Sequence, residues 1–487
     1  MQFVLKTKYN TLFYTFTILL MIFIVLGIVT ESIFLWFIPV VLAFSFYIFK
    51  DIRWLLYLFF LILPFTIEYY LPNGFGIDIP GEAVLIIITF FSFVFIAARY
   101  SSLDFGYFKN PITILLLIHL VWILFTTLFA NNSIISFKFF LAKLWYVIPM
   151  FFLPVLILDK NNLKPVLRNL LLISTIMVIF VLGKHSLTNF DFSTVSGAVS
   201  PFFRNHVSYA SLITIIFPFW FLLLYWYKNR LTRLMIYTGM ALSIAGIILS
   251  YTRAAHISLI SMLFVYFIIK YRLIKHVLIV SAVSIIILFG YILSENKYLD
   301  LAPDYNKTIT YDDFDDIVNA TYQGTDLSTM ERLYRWVSGY NMIRERPLTG
   351  FGPGNFYYSY RPYTVTSFQT YVSDNPEKSG IHSYYLMTLV DQGFPGLLIF
   401  LALVFYSLIH GEFLYHKLKD PELKTILTAV MLSLVSIYLI LLINDMIESI
   451  KTGTIFFFDL ALLILIGKWT KTKESEKINS KTGSKAV

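Results

Sequence analysis

The stretch Ser379–Phe400, SGIHSYYLMTLVDQGFPGLLIF, begins polar, sets His382 at the lip of an apolar run, and buries Asp391, Gln392 and Gly393 inside that run. The run continues to about residue 408 with Asp391 as its single charge. A helix needs about 20 apolar residues to cross the hydrocarbon core of a bilayer, and this segment supplies them. A carboxylate facing lipid is costly, so Asp391 and Gln392 are expected to turn toward other helices. The run Gly393-Phe394-Pro395-Gly396 permits close helix approach and a kink. The segment therefore predicts a bundle of membrane helices, with polar groups between them and a titratable ring at one surface.

The whole chain has that character. Its 487 residues are 58% hydrophobic and 14% charged, with a mean hydropathy of +0.73. A water-soluble domain is nearer half apolar and a quarter charged, so lipid must solvate most of this surface. The 48 Phe and 33 Tyr suit cores and membrane interfaces. The formal charge of +9 does not point to nucleic acid, because the basic residues punctuate the apolar runs instead of clustering. With no cysteine, disulfides and thiolate metal sites are excluded.

Fourteen candidate spans lie near 12–29, 33–49, 54–70, 83–98, 111–129, 139–158, 166–183, 207–227, 234–251, 254–270, 276–293, 383–408, 425–443 and 453–467. The first is long for a signal peptide and lacks a small-residue cleavage site, so it reads as a retained span. The expected fold is all-α and polytopic: spans 1–11 over residues 1–293, an external segment over 294–382, spans 12–14 over 383–470, and a tail over 471–487. With the N-terminus cytoplasmic, inner segments hold 24 Lys and Arg and outer ones 14. Eight of those 14 fall in the long external segment, which the positive-inside rule discounts. Both termini are thus expected in the cytoplasm.

The long segment opens with YDDFDDIVNATYQGTD. Asp312, Asp313, Asp315 and Asp316 are hard-cation ligands in type, but their spacing is not that of a calcium loop, and no metal site is expected. In STMERLYRWVSGYNMIRERP, Ser328 and Glu331 fit a capping box, and Leu333, Trp336, Val337, Tyr340 and Ile343 recur at helical spacing. Pro347 ends the pattern. One amphipathic helix is predicted over about 329–345, followed by the turn-rich GFGPGNF.

Six basic residues in short outer segments run against the topology rule: Lys138, Lys143, Lys184, Arg204, Arg253 and Lys451. Arg253, in ILSYTRAAHISLI, is nearly the whole turn between two spans. It either snorkels to headgroups or clamps an anion, since its fork matches phosphate oxygens at any relevant pH. Arg204 and His206, in SPFFRNHVSYA, are either interfacial decoration or part of the same outer site. Of Lys138 and Lys143, five apart on a helix, Lys138 is expected to reach the outer cavity. His382 is either a packed residue at a helix start or a base, because neutral imidazole can take a hydroxyl proton near neutral pH. His119, in the middle of a span, reads as a packing residue.

Three stretches, in order, resemble the O-antigen ligase/polymerase family: SYTRAAHISLI, ERLYRWVSGYNMIRERPLTGFGPGNF and GIHSYYLMTLVDQGFPGLLIFL. The likeness covers roughly residues 205–410; before that only the layout and the segment TTLFANNSIISFKFFL are similar. Two features depart from the pattern: Asp391-Gln392, where Glu commonly precedes the glycine, and the acidic stretch 304–316. The resemblance implies a GT-C-type glycosyltransferase of the bacterial inner membrane. Such an enzyme takes a glycan from undecaprenyl diphosphate on the periplasmic side and passes it to lipid A–core, to a growing polysaccharide, or to a protein hydroxyl. By motif position, Arg253 resembles the family's essential external arginine and His382 its essential histidine.

The expected chemistry is metal-independent and inverting, with no cofactor. Arg253, helped by Arg204 and Lys138, holds the diphosphate; His382 receives the acceptor proton or orients the hydroxyl; and Arg332, Arg335, Arg344 and Arg346, with His206, support the acceptor side. Ligase is favoured over polymerase. A transporter or polysaccharide exporter would place its groups at the bilayer midplane in matching halves, and a scaffold would need neither Arg253 nor His382.

Overall fold

The computed structural model describes residues 51–70, 76–299, 327–365 and 379–483, with a few short pieces before residue 31. Contacts divide the chain into Met1–Phe59 and Phe60–Val487. In the first unit Arg53 pairs with Asp51 at 2.8 Å; apart from the first turns of the helix Arg53–Ile62, all that follows concerns the second.

The principal helices are α1 (Arg53–Ile62), α2 (Gly81–Arg99), α3 (Pro111–Thr127), α4 (Ser133–Val147), α5 (Lys160–Ser186), α6 (His206–Ile216), α7 (Phe219–Trp226), α8 (Arg230–Ile248), α9 (Arg253–Lys270), α10 (Ile274–Leu293), α11 (Leu327–Glu345), α12 (Tyr384–Lys417), α13 (Pro421–Ile440) and α14 (Ile450–Gly483). Among the described residues, ten helical segments are long and apolar enough to cross a membrane, and Arg53–Phe65 and Pro111–Thr127 are shorter apolar helices. The expected spans near 12–29 and 33–49 lie outside the described residues, as does the acidic stretch 304–316.

Local sequence explains where helices start. Asn110 accepts from Ile112 N ahead of Pro111, Asn132 from Ile135 N, Asp159 from Asn162 N, Asn205 from Ser208 N, Asn229 from Leu231 N, and Asp420 from Glu422 N ahead of Pro421. Short polar side chains at these positions satisfy amides that the first turn leaves open, and proline is pre-set for the first helical residue. Helix α11 covers the helix expected over about 329–345; the Ser328 side chain of the expected capping box lies outside the described residues.

One difference concerns the third expected span. Its helix ends at Phe65, and Ile67–Tyr70 pairs antiparallel with Gly76–Ile79, with Glu68 opposite Asp78. A signal is in the sequence: Asn-Gly, at 73–74, is a residue pair favoured in hairpin connections.

The bundle is built around its C-terminal helices. In α14, 89% of the most apolar window is buried, and in α13 67%, whereas α10 buries none of its own. α10 therefore presents its apolar side chains to lipid, and α13 and α14 present theirs to protein.

α3 runs along α12, and the two are joined by the polar groups read as interhelical contacts. His119 Nε2 lies 3.0 Å from Gln392 Oε1, and Trp122 Nε1 donates to the Gln392 carbonyl at 2.9 Å. α12 breaks at Gly393, whose φ of 71° is left-handed. The break frees carbonyls at the preceding turn. Val390 O accepts from Phe351 N and Asp391 O from Gly352 N, each at 2.9 Å, and Asp391 Oδ2 accepts from Gly354 N at 2.8 Å. The GFGPGNF turn is thus wedged into the break. Asn355 fastens its other side, accepting from Asn132 N at 3.0 Å and donating to Ser136 Oγ at 2.7 Å.

Candidate active site

His382 sits two residues before α12, in the left-handed region with φ 56°. A non-glycine residue there is strained and persists only when its surroundings fix it. Two segments do so, α11 and the 441–449 turn. Arg335, fully buried on α11, donates from Nη1 to Gly380 O at 2.9 Å and pairs with Glu331 one turn earlier. Arg332 Nε donates to Ile443 O at 3.3 Å. Tyr384 N donates to Leu441 O at 3.0 Å and to Asn444 O at 3.1 Å. The strand of chain carrying His382 is therefore held between α11 and the 441–449 turn that joins α13 to α14.

The electrostatics follow. Burial, and then the positive charges of Arg335, Arg332 and Arg204, push the His382 imidazole down to about 3 from its ordinary 6.5. It is neutral near pH 7 and can accept a proton. Asp445, in the 441–449 turn, is held above the usual carboxylate range by burial and by Glu448, against the pull of Arg335 and Arg332. A side chain on Gly380 would collide with the Asp445 carboxylate, so Gly380 permits that approach.

Below this cluster lies a second charged contact. Lys143 Nζ is 2.5 Å from Glu448 Oε1 and 3.3 Å from Tyr384 OH, and its side chain is buried against the Phe139, Tyr384 and Phe457 rings. Of the lysine pair on α4, it is Lys143 that enters the protein at the level of the site, while Lys138 is exposed.

Arg204 lies on an exposed arm between Val195–Val199 and α6. His206, the first residue of α6, bonds through Nδ1 to Ser196 Oγ at 3.0 Å, and its carbonyl accepts from Thr252 Oγ1 at 3.4 Å. The next residue after Thr252 is Arg253, which opens α9. The Arg253 turn is thus tied to the arm that carries Arg204.

Arg344, near the end of α11, and Arg346, just past it, stand apart. Arg346 lies over the Phe351 ring at 4.8 Å and Arg344 over Tyr340 at 6.0 Å. Eleven residues separate Arg346 from Arg335, about 16 Å of chain rise, so Arg346 supports the GFGPGNF turn and not the His382 cluster. Sequence reading missed Asp445, Glu448 and the role of Lys143. The available signal was LINDMIESI, two carboxylates in a very short outer turn beside a lysine that breaks the topology rule.

What has assembled is a buried, neutral imidazole in the positive field of Arg335, Arg332 and Arg204. Such a site suits an anion bound beside a hydroxyl that must lose a proton. Residues 238–401 match the family model for O-antigen ligase. Over that third of its length the chain is similar to the O-antigen ligase family. The matched region begins in α8 and runs through Arg253, Arg332, Arg335 and His382 into α12, so it contains most of the cluster just described. No curated protein matches the chain. A multi-pass bacterial membrane protein is what the family and the apolar helices together support.

Proposed function

We propose that the chain is a GT-C-type membrane glycosyltransferase that moves a glycan from undecaprenyl diphosphate to an acceptor hydroxyl at the periplasmic face, acting as an O-antigen ligase on lipid A–core. The observation that carries this reading is a buried, neutral His382 whose segment is held by Arg335 at Gly380 and which lies in the positive field of Arg335, Arg332 and Arg204. Arg253 stands on the adjoining turn.

A lipid diphosphate brings about two negative charges, which basic side chains in a water-poor site can offset. Arg253, Arg204 and the two α11 arginines supply that charge, with Lys138 at the rim. The acceptor oxygen attacks the anomeric carbon from the face opposite the diphosphate. The C1–O bond to the carrier breaks, undecaprenyl diphosphate leaves with the bonding pair, and the hydroxyl proton passes to His382 Nε2 or Nδ1. Attack from the opposite face inverts the anomeric centre.

The donor also prepares the base. An imidazole held near 3 is a poor proton acceptor. A bound diphosphate neutralises the surrounding guanidinium groups and lifts the imidazole toward its ordinary value. The reading therefore orders the reaction, with donor binding before proton removal.

The test is transfer in vitro from an undecaprenyl-diphosphate glycan, offered lipid A–core and a second repeat unit in the presence of EDTA. Product on lipid A–core is expected. Product on the second repeat unit alone makes the chain a polymerase, and loss of transfer in EDTA removes the metal-independent step. Replacing His382 or Arg335 by Ala should lower the rate by about 10²–10⁴. Unchanged transfer in both variants would sink the site assignment.

A further inference from the structure

Two lysines bracket the arm that carries Arg204, and neither points at the anion site. Lys184, near the C-terminus of α5, donates from Nζ to the carbonyls of Gly197 at 2.7 Å and Ser200 at 2.8 Å. Those carbonyls close the short helix Val195–Val199, where a cation complements the exposed C=O groups. Lys451, the second residue of α14, is nearly buried; it donates to the Phe202 carbonyl and lies 3.6 Å from the Phe203 ring centroid. Phe203 is itself buried and packs on Tyr209 at 5.5 Å. Phe202 is gripped by Phe65 at 4.9 Å and Phe180 at 5.3 Å. Arg204 is the next residue, exposed, and it contributes to the field at His382.

An exposed arginine on an irregular segment would ordinarily sample many positions, and a phosphate ligand would have to order it on binding. Here the backbone on the N-terminal side of Arg204 is tied at Gly197, Ser200 and Phe202 by ammonium groups from α5 and α14. On its C-terminal side it is tied by the Asn205 cap and by the Thr252 bond to His206. The two lysines therefore have work to do at the site without touching its ligand.

We infer that Lys184 and Lys451 are positioning residues that pre-set Arg204 for the diphosphate of the donor. The inference rests on the transferase reading of the same site. It also explains why these two lysines stand on the outer side against the topology rule.

The experiment is a double-mutant cycle on the full-length protein in detergent, reading both binding of bare undecaprenyl diphosphate and steady-state transfer. Lys451→Met and Arg204→Ala should each weaken lipid-diphosphate binding and raise the donor KM by about tenfold, with kcat changed less than about threefold. If Lys451 acts through Arg204, the double variant stays near tenfold instead of reaching about a hundredfold. Lys451→Arg should restore binding. Lys184→Met, at an exposed position, gives the same non-additive pattern with Arg204→Ala and serves if Lys451→Met does not fold. Additive losses, wild-type binding in the lysine variants, or a fall in kcat alone would overturn the inference. A wild-type protein that binds the lipid diphosphate but transfers nothing would overturn the transferase reading while leaving the positioning role intact.

Discussion

At the scale of single residues, His382 carries a consequence for pH dependence. Its imidazole is neutral in the free protein down to about pH 3 because burial and three arginines oppose its charge. A base must be deprotonated to act, so activity rises with pH through its pKa. The kcat/KM profile for the donor reports the free enzyme, and the kcat profile reports the loaded one. The acid limb should therefore lie well below pH 6.5 in kcat/KM and move to higher pH in kcat. Coincident limbs near 6.5 in both would mean that the arginines do not act on this ring.

Lys143 makes the complementary case for stability. It is buried with Glu448 as its ion-pair partner. Removing one partner of a buried pair leaves the other charge uncompensated, at about 3–5 kcal/mol for full burial. Glu448 keeps some exposure, with 23% of its side-chain surface accessible, so Lys143→Met is expected to cost about 2–3 kcal/mol. Adding Glu448→Gln to Lys143→Met should recover part of that loss in a thermal melt. His382 and Arg253 stood out in the sequence as candidates because a titratable or cationic residue at the edge of an apolar run is conspicuous. Lys143 was legible only as an anomaly. Choosing it over Lys138 required knowing which face of α4 meets the 441–449 turn, and that turn is 305 residues away in sequence from Lys143 at its Glu448 contact.

At the scale of elements, the break in α12 is the feature that seats the GFGPGNF turn. Gly393 adopts φ 71°, and a side chain there would run into the Leu348 carbonyl. Gly350 and Gly352, also at positive φ, are pressed against the Val390 carbonyl and Ala130. Gly393→Ala combines left-handed strain with a backbone clash and should destabilise the protein by about 2–4 kcal/mol. Ala at Gly290, which meets nothing within 4 Å and lies in lipid-facing α10, is the matched control and should leave the melting temperature unchanged. Equal melting temperatures for the two variants would show that the break is dispensable. The kink was readable from Gly-Phe-Pro-Gly. The wedge of GFGPGNF into it was not, because the partners Phe351–Val390 and Gly354–Asp391 are set by tertiary packing and leave no periodic trace. The hairpin after Phe65 shows the opposite failure: a local turn signal, Asn73-Gly74, was overridden by apolar content that read as a continuing span.

At the scale of the whole molecule, orientation decides whether the cluster can meet a carrier lipid on the outer side. The charge distribution assigns the turn after α13 and the start of α12 to one side, and the turn between α12 and α13 to the other. α12 is a single broken helix of 34 residues from Tyr384 to Lys417, so its two ends cannot share a surface. The chain contains no cysteine, so a single introduced thiol reports its own side without background. Ser379→Cys, three residues before His382, should react with a membrane-impermeant maleimide in intact spheroplasts. Lys419→Cys, just past the far end of α12, should react only after the membrane is opened. The reverse pattern would put the arginines and His382 in the cytoplasm, where a nucleotide-linked donor and not a flipped carrier lipid would be the available anion. The proposed chemistry would then need a different substrate even with every contact around His382 intact.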